Sequence, residues 1–133
     1  MENKLPHQHL LINAETNDLK NFLTKEKIEE HLRKIVDLIE SIIIIEPQVE
    51  YCDSHNNTGF MGICGVGTSH ISCHHWDNTI PQRLQFDIYS CTKFDFKKLS
   101  NEIIEFWQIK SGSILVIDRS VDFGFNVIYS SNI

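Results

Sequence analysis

The chain has 133 residues, of which 41% are hydrophobic and 23% charged, with a formal net charge of −6 at pH 7. That is the make-up of one soluble globular domain with a real core, and an acidic balance without clustered Lys and Arg excludes a nucleic-acid partner. No run approaches the ~20 apolar residues that cross a bilayer, and "MENKLPHQHL" lacks a charged-then-apolar signal layout, so a cytoplasmic protein with four reduced cysteines is expected.

In chain order, "HLLINA" (9–14) reads as a first strand, and residues 19–23 as a short helical turn. Thr24 is placed to cap a long helix, because its hydroxyl can accept from an amide of the first turn. Ile28, Leu32, Ile35, Ile39 and Ile42 then recur at helical spacing, between Lys, Glu, Arg and Asp. The helix must end before Pro47, the pattern changes to strand somewhere in "IIIIEPQVEYCD" at a point periodicity does not place, and the isoleucine run is expected to be core. After the polar turn "DSHNNTG" come three strand patterns, "FMGICGV", "SHISCHHW" and "RLQFDIYSC", the last two joined by "DNTIPQ". A second helix fits 95–108, with Phe96, Leu99, Ile103 and Phe106 on one face. The strands "SILVIDRS" and "FGFNVIYS", the latter containing Phe123 and Phe125, complete the chain. The order β-α-β-β-β-α-β-β predicts a single α+β domain over 1–133, a two-layer sandwich of a mostly antiparallel sheet with two helices on one face.

The chemistry is concentrated in "GTSHISCHHWD" (67–77) and "LQFDIYSC" (84–91). A zinc site would draw on Cys52, Cys64, Cys73, His74, His75 and Cys91. Adjacent residues alternate faces on a strand, however, and no C-x-x-C or H-x3-H clamp is present, so no metal is expected. A Cys–His hydrolase has the residue types here but none of the local signatures. The plainest reading makes His70, His74 and His75 half-buried strand residues with hydrogen-bonded neighbours. Cys52, Cys64 and Cys73 are expected to be small buried apolar residues. His7, His31 and His55 are expected at the surface, and Trp107 with Phe106 in helix packing.

Beyond these readings, "TSHISCHHWD" followed by "LQFDIYSC" resembles the processing region of the short prokaryotic type of S-adenosylmethionine decarboxylase. That family carries Glu-Ser-His, then His-x-Trp, then an acidic strand D-x-F-x-C. "HLLINAETND" resembles its first strand, and the helices fall in the family's order. The resemblance implies a proenzyme in which the serine hydroxyl attacks the preceding carbonyl. The resulting ester is broken by β-elimination, and a pyruvoyl group is left at the new N-terminus. Its ketone takes the substrate amine in a Schiff base and acts as the electron sink for decarboxylation, in place of an external cofactor. Position by position, the resemblance makes Ser69 the pyruvoyl precursor and Thr68–Ser69 the scissile bond, giving chains 1–68 and 69–133. It makes His74 the processing base and Cys91 the residue that returns a proton to the product carbon. It also implies a small-molecule substrate, S-adenosylmethionine or a related amine, and a homodimer. A sulfonium substrate favours carboxylates and aromatic faces, for which Phe60, Trp76, Asp77 and Asp87 are candidates.

The chain departs from the family pattern in three places. Thr68 replaces the glutamate before the serine. The helper serine expected eight residues earlier falls on Met61, so Thr58 supplies a hydroxyl only if the strand carries a three-residue insertion. "HTWPE" becomes "HHWDN". Ser69 and His74 also have opposite strand parity, which a bend or bulge at Ser69 would resolve. Two readings follow: a pyruvoyl-dependent decarboxylase of polyamine (spermidine) synthesis, or a non-cleaving paralogue that binds or regulates.

Overall fold

The structure, a computed structural model, describes residues 6–67, 69–120 and 124–133. Thr68 and Phe123 lie outside the described residues. The elements are β1 (Gln8–Thr16), α1 (Lys25–Leu38), β2 (Ile43–Ser54), β3 (Asn57–Val66), β4 (Ser69–Trp76), β5 (Gln82–Ser90), α2 (Phe96–Phe106), β6 (Ile109–Asp118) and β7 (Asn126–Asn132). The seven strands form one sheet in the order β2-β3-β4-β5-β1-β6-β7, and every pairing is antiparallel. Both helices pack on the same face, as the alternation of the strands predicts. The inner row of β1, Leu10, Ile12 and Ala14, joins Ile71, Cys73, Leu84, Phe86 and Ile88 in one core with Ile28, Leu32 and Ile35 of α1 and Leu99 and Ile103 of α2. Among the described residues no helix is long and apolar enough to cross a membrane.

Capping sets both helix starts. Thr24 is extended (φ −133°, ψ 159°) and its hydroxyl accepts from the Lys27 amide, while Asp95 does the same for Lys98 at the start of α2. Helix α1 is shorter than the isoleucine spacing predicts. It stops at Leu38, Ile39 caps it, and Glu40 takes φ 54°. Ile42 therefore lies outside the helix, and the change to strand within "IIIIEPQVEYCD" comes at Ile43, where β2 begins ahead of the three strands counted between the helices. The isoleucine run is not core either: Ile42, Ile44 and Ile45 are exposed and only Ile43 packs against it. The reason is location, since β2 is an edge strand. Pro47 sits within it where the β2–β3 register shifts between Ile45 and Gln48, a place where a strand tolerates a residue without an N–H.

The sheet and α1 approach closely at Gly62, where a Cβ would lie 3.0 Å from Cys73 Sγ and 3.2 Å from Leu32 Cδ1. Trp107, fully buried just after α2, donates its indole N–H to Nε2 of His31 at 3.0 Å. The His31 ring stacks on Phe106 with centroids 3.9 Å apart. His31 is thus buried rather than superficial, and burial, with the nearby Lys34 charge, lowers its pKa to about 3. The unfolded chain binds that proton more readily, so stability is complete above about pH 6.5 and is lost as the pH falls towards 3. We expect His31 alone to cost roughly 2–3 kcal/mol between pH 7 and pH 4.5. His31→Gln, which keeps an acceptor for Trp107, should flatten the dependence of the urea midpoint on pH in that range. An unchanged slope would show that His31 is not the group responsible.

Candidate active site

The β3–β4 connection is a tight turn through Gly67, whose φ of +55° suits a residue without Cβ. It delivers Ser69 as the first residue of β4, opposite Val66. The Ser69 hydroxyl oxygen accepts the backbone N–H of Cys91 at 3.0 Å. Cys91 follows the last residue of β5 and is half-buried. Two residues that lie 22 apart in sequence are thereby in contact.

His74 is not part of that contact. Strand β4 pairs with β3 from Val66↔Ser69 to Gly59↔Trp76 and with β5 from His70↔Tyr89 to Trp76↔Arg83, with no shift in either register. The bend or bulge that would have turned Ser69 is absent, so the parity stands. Ser69 shares a row with the buried Ile71, Cys73 and His75, whereas His74 and Trp76 stand on the open face, their rings stacked at 6.0 Å. Five residues of strand separate Ser69 from His74 by roughly 16 Å.

The same register places the helper position. Met61, at the helper position, is directly opposite His74. Thr58 lies at the other end of β3, where its hydroxyl donates to Asp77. Asp77 also accepts from the Tyr51 hydroxyl at 2.7 Å. Burial alone would raise the Asp77 carboxyl, but these two bonds and the nearby His75 and Lys20 hold it below the usual range.

Of the four candidate substrate contacts, Phe60 and Trp76 share the lining of a small cavity of about 130 Å³ with His74 and His75, and Asp87 lines neither this cavity nor either of two larger ones. Phe60 and Asp77 line a cavity of about 430 Å³ on the helix side, with Tyr51, His75 and Lys20. Here Phe60 meets Tyr51 edge-on, centroids 5.1 Å apart. Trp76 lines a different cavity of about 560 Å³ on the open face, with Glu15, Arg83 and Gln85. Asp87 lies at the middle of the open face. Its Oδ2 accepts from Nε2 of His9 at 2.9 Å and from Nε2 of His70 at 3.3 Å, while the Ser72 hydroxyl donates to Oδ1. Burial pushes this carboxyl up, but the bonds from His9 and Ser72 and the charges of His9 and His70 outweigh it and hold its pKa low. The part played by His9 was invisible to local motif reading, since 78 residues separate it from Asp87.

The remaining histidine of the triplet is structural. His75 is buried, and its Nε2 lies 3.1 Å from the Thr16 hydroxyl, which itself donates to the Asn17 carbonyl. His75 therefore donates to Thr16. Burial lowers its pKa to about 4, against a partial opposing pull from Asp77.

The fold, with its paired serine and cysteine, defines an α+β sandwich protein whose candidate chemistry lies at the ends of neighbouring strands. The family model for S-adenosylmethionine decarboxylase matches residues 8–120, and the chain belongs to that family. No curated protein matches the chain.

Cys73 and Cys64 serve the core rather than the chemistry. Burial raises the pKa of both, that of Cys73 to about 12, leaving almost no thiolate at neutral pH. Brief alkylation at pH 8 followed by peptide mapping should label the half-buried Cys52 and spare Cys64 and Cys73 until urea is added. Labelling of Cys73 in the folded protein would contradict this burial.

Proposed function

We propose that the chain is a pyruvoyl-dependent decarboxylase of S-adenosylmethionine in polyamine synthesis, self-processed at Thr68–Ser69 and working as a homodimer. The observation that carries this reading is the hydrogen bond from Cys91 N–H to Ser69 Oγ. It joins the family's precursor serine to the position of its proton-donating cysteine, at a strand end beside a glycine turn.

The residues present fit a pyruvoyl group generated at Ser69. A backbone N–H aimed at the serine oxygen stabilises negative charge there without removing the hydroxyl's own proton, which remains available to a base. When present, the group supplies the electron sink for loss of carbon dioxide. Cys91 is held within reach of the same point and returns the proton to the product carbon. Trp76, Arg83 and Glu15 line a cavity at the opposite end of β4 from Ser69, roughly 23 Å along the strand, so that cavity is not beside this chain's own precursor serine.

His74 stands roughly 16 Å from the Ser69 hydroxyl and on the other strand face, out of reach as a base. A second copy seated on the open face would meet His74 and not Ser69. The open face that bears His74 also presents the exposed side chains of Met61 and Ile63, apolar surface suited to burial against another sheet. The alternative, a non-cleaving paralogue that binds or regulates, is favoured by one observation: Met61, opposite His74, has no hydroxyl to give.

Release of labelled carbon dioxide from carboxyl-labelled S-adenosylmethionine tests the proposal. The wild type should release it, Ser69→Ala should not, and Cys91→Ala should be slower by about 10²–10⁴. Release that survives Ser69→Ala, or a wild type that releases none, would sink the decarboxylase reading.

A further inference from the structure

Three side chains from three neighbouring strands converge on the open face: His70 on β4, Asp87 on β5 and His9 on β1. Each offers one ligand atom, and the three atoms lie within 4.8 Å of one another. We propose that His9, His70 and Asp87 are the ligands of a zinc-class divalent transition metal, bound through the two Nε2 atoms and Asp87 Oδ2. The site is independent of whether Ser69 is cut.

Two imidazoles and one carboxylate form a three-ligand set that leaves a fourth tetrahedral position for water or another small donor. The choice of ion follows from the donors. Imidazole nitrogen suits zinc, cobalt and nickel, whereas magnesium and calcium take oxygen ligands. The spacing fits as well. Ligand atoms bonded at ~2.0–2.1 Å in a tetrahedron lie roughly 3.3 Å apart, and the two N···O separations here are 2.9 and 3.3 Å. The third pair, within 4.8 Å, needs to close by no more than ~1.5 Å, which small side-chain rotations provide.

The surroundings orient the set. Ser72 donates to Asp87 Oδ1 and leaves Oδ2 to point between the imidazoles, the kind of outer support that tunes a metal ligand. Tyr89 contacts both rings, with centroids 5.6 Å from His9 and 5.6 Å from His70. One contact opposes binding. An Arg119 N–H lies 3.4 Å from Nδ1 of His9, and because guanidinium is only a donor, this pairing leaves the histidine proton on Nε2. Binding displaces that proton, and Arg119, which is exposed, surrenders a contact at the limit of hydrogen-bonding distance. Local spacing along the chain does not point to this set, because the sheet gathers it from residues 9, 70 and 87.

The test is calorimetric titration of the full chain with zinc, paralleled by cobalt absorption spectra, for wild type, His9→Ala, His70→Ala, Asp87→Asn and the hairpin control His55→Ala. We expect one equivalent of zinc and a cobalt spectrum of low coordination number for wild type and His55→Ala. Each ligand substitution should weaken affinity by at least about tenfold. His70 has a side-chain exposure of 52%, so His70→Ala should keep the metal-free thermal midpoint while losing the rise that zinc gives the wild type. Absence of binding to the wild type at millimolar zinc, or binding unaltered in both His70→Ala and Asp87→Asn, would overturn the site.

Discussion

The uninterrupted pairing of β4 between β3 and β5 is the constraint on which the chemistry of this molecule depends. A strand with both edges bonded and no bulge has no freedom in which face each side chain takes. It fixes Ser69, Ile71, Cys73 and His75 on the helix side and His70, Ser72, His74 and Trp76 on the open side. Neutral His75 is the cost of the first row, buried and satisfied by Thr16. The second row makes the open face polar, with Asp87 and its histidines at the centre and Trp76 over a cavity at one end.

The same constraint explains why a single copy is chemically incomplete under the proposed function. The serine oxygen and the Cys91 N–H meet at one end of the sheet, and the histidine that would act as base is several residues along on the other face. A second sheet facing the bare side would meet His74 and Trp76 and leave Ser69 in its helix-side row.

Much of this was legible in the sequence because it rests on local rules. The Thr24 cap, the alternating strands and the turn "DNTIPQ" each declare themselves within a few residues, and the family motif singled out Ser69, His74 and Cys91 as positions to compare. The failures are equally physical. Four isoleucines in a row satisfy a helical stripe and a strand equally, and only the edge position of β2 leaves three of them exposed. A lone histidine on an amphipathic helix reads as surface, yet His31 sits under Trp107 and Phe106. Phe60 and Trp76 share one small cavity, but each also lines a larger one on its own face of the sheet. The His9–Asp87–His70 group has no local spacing at all, because sheet order rather than chain order creates it.

The central claim is that this serine is converted and the chain cut before it. The most direct measurement is the intact mass of the purified protein under denaturing conditions, for wild type beside Ser69→Ala. The account predicts two wild-type fragments meeting at Thr68–Ser69, the C-terminal one lighter by one ammonia and blocked to Edman chemistry, and a Ser69→Ala chain that stays whole. A wild type that runs as one uncut chain would contradict it, and would leave the family fold in service of binding or regulation.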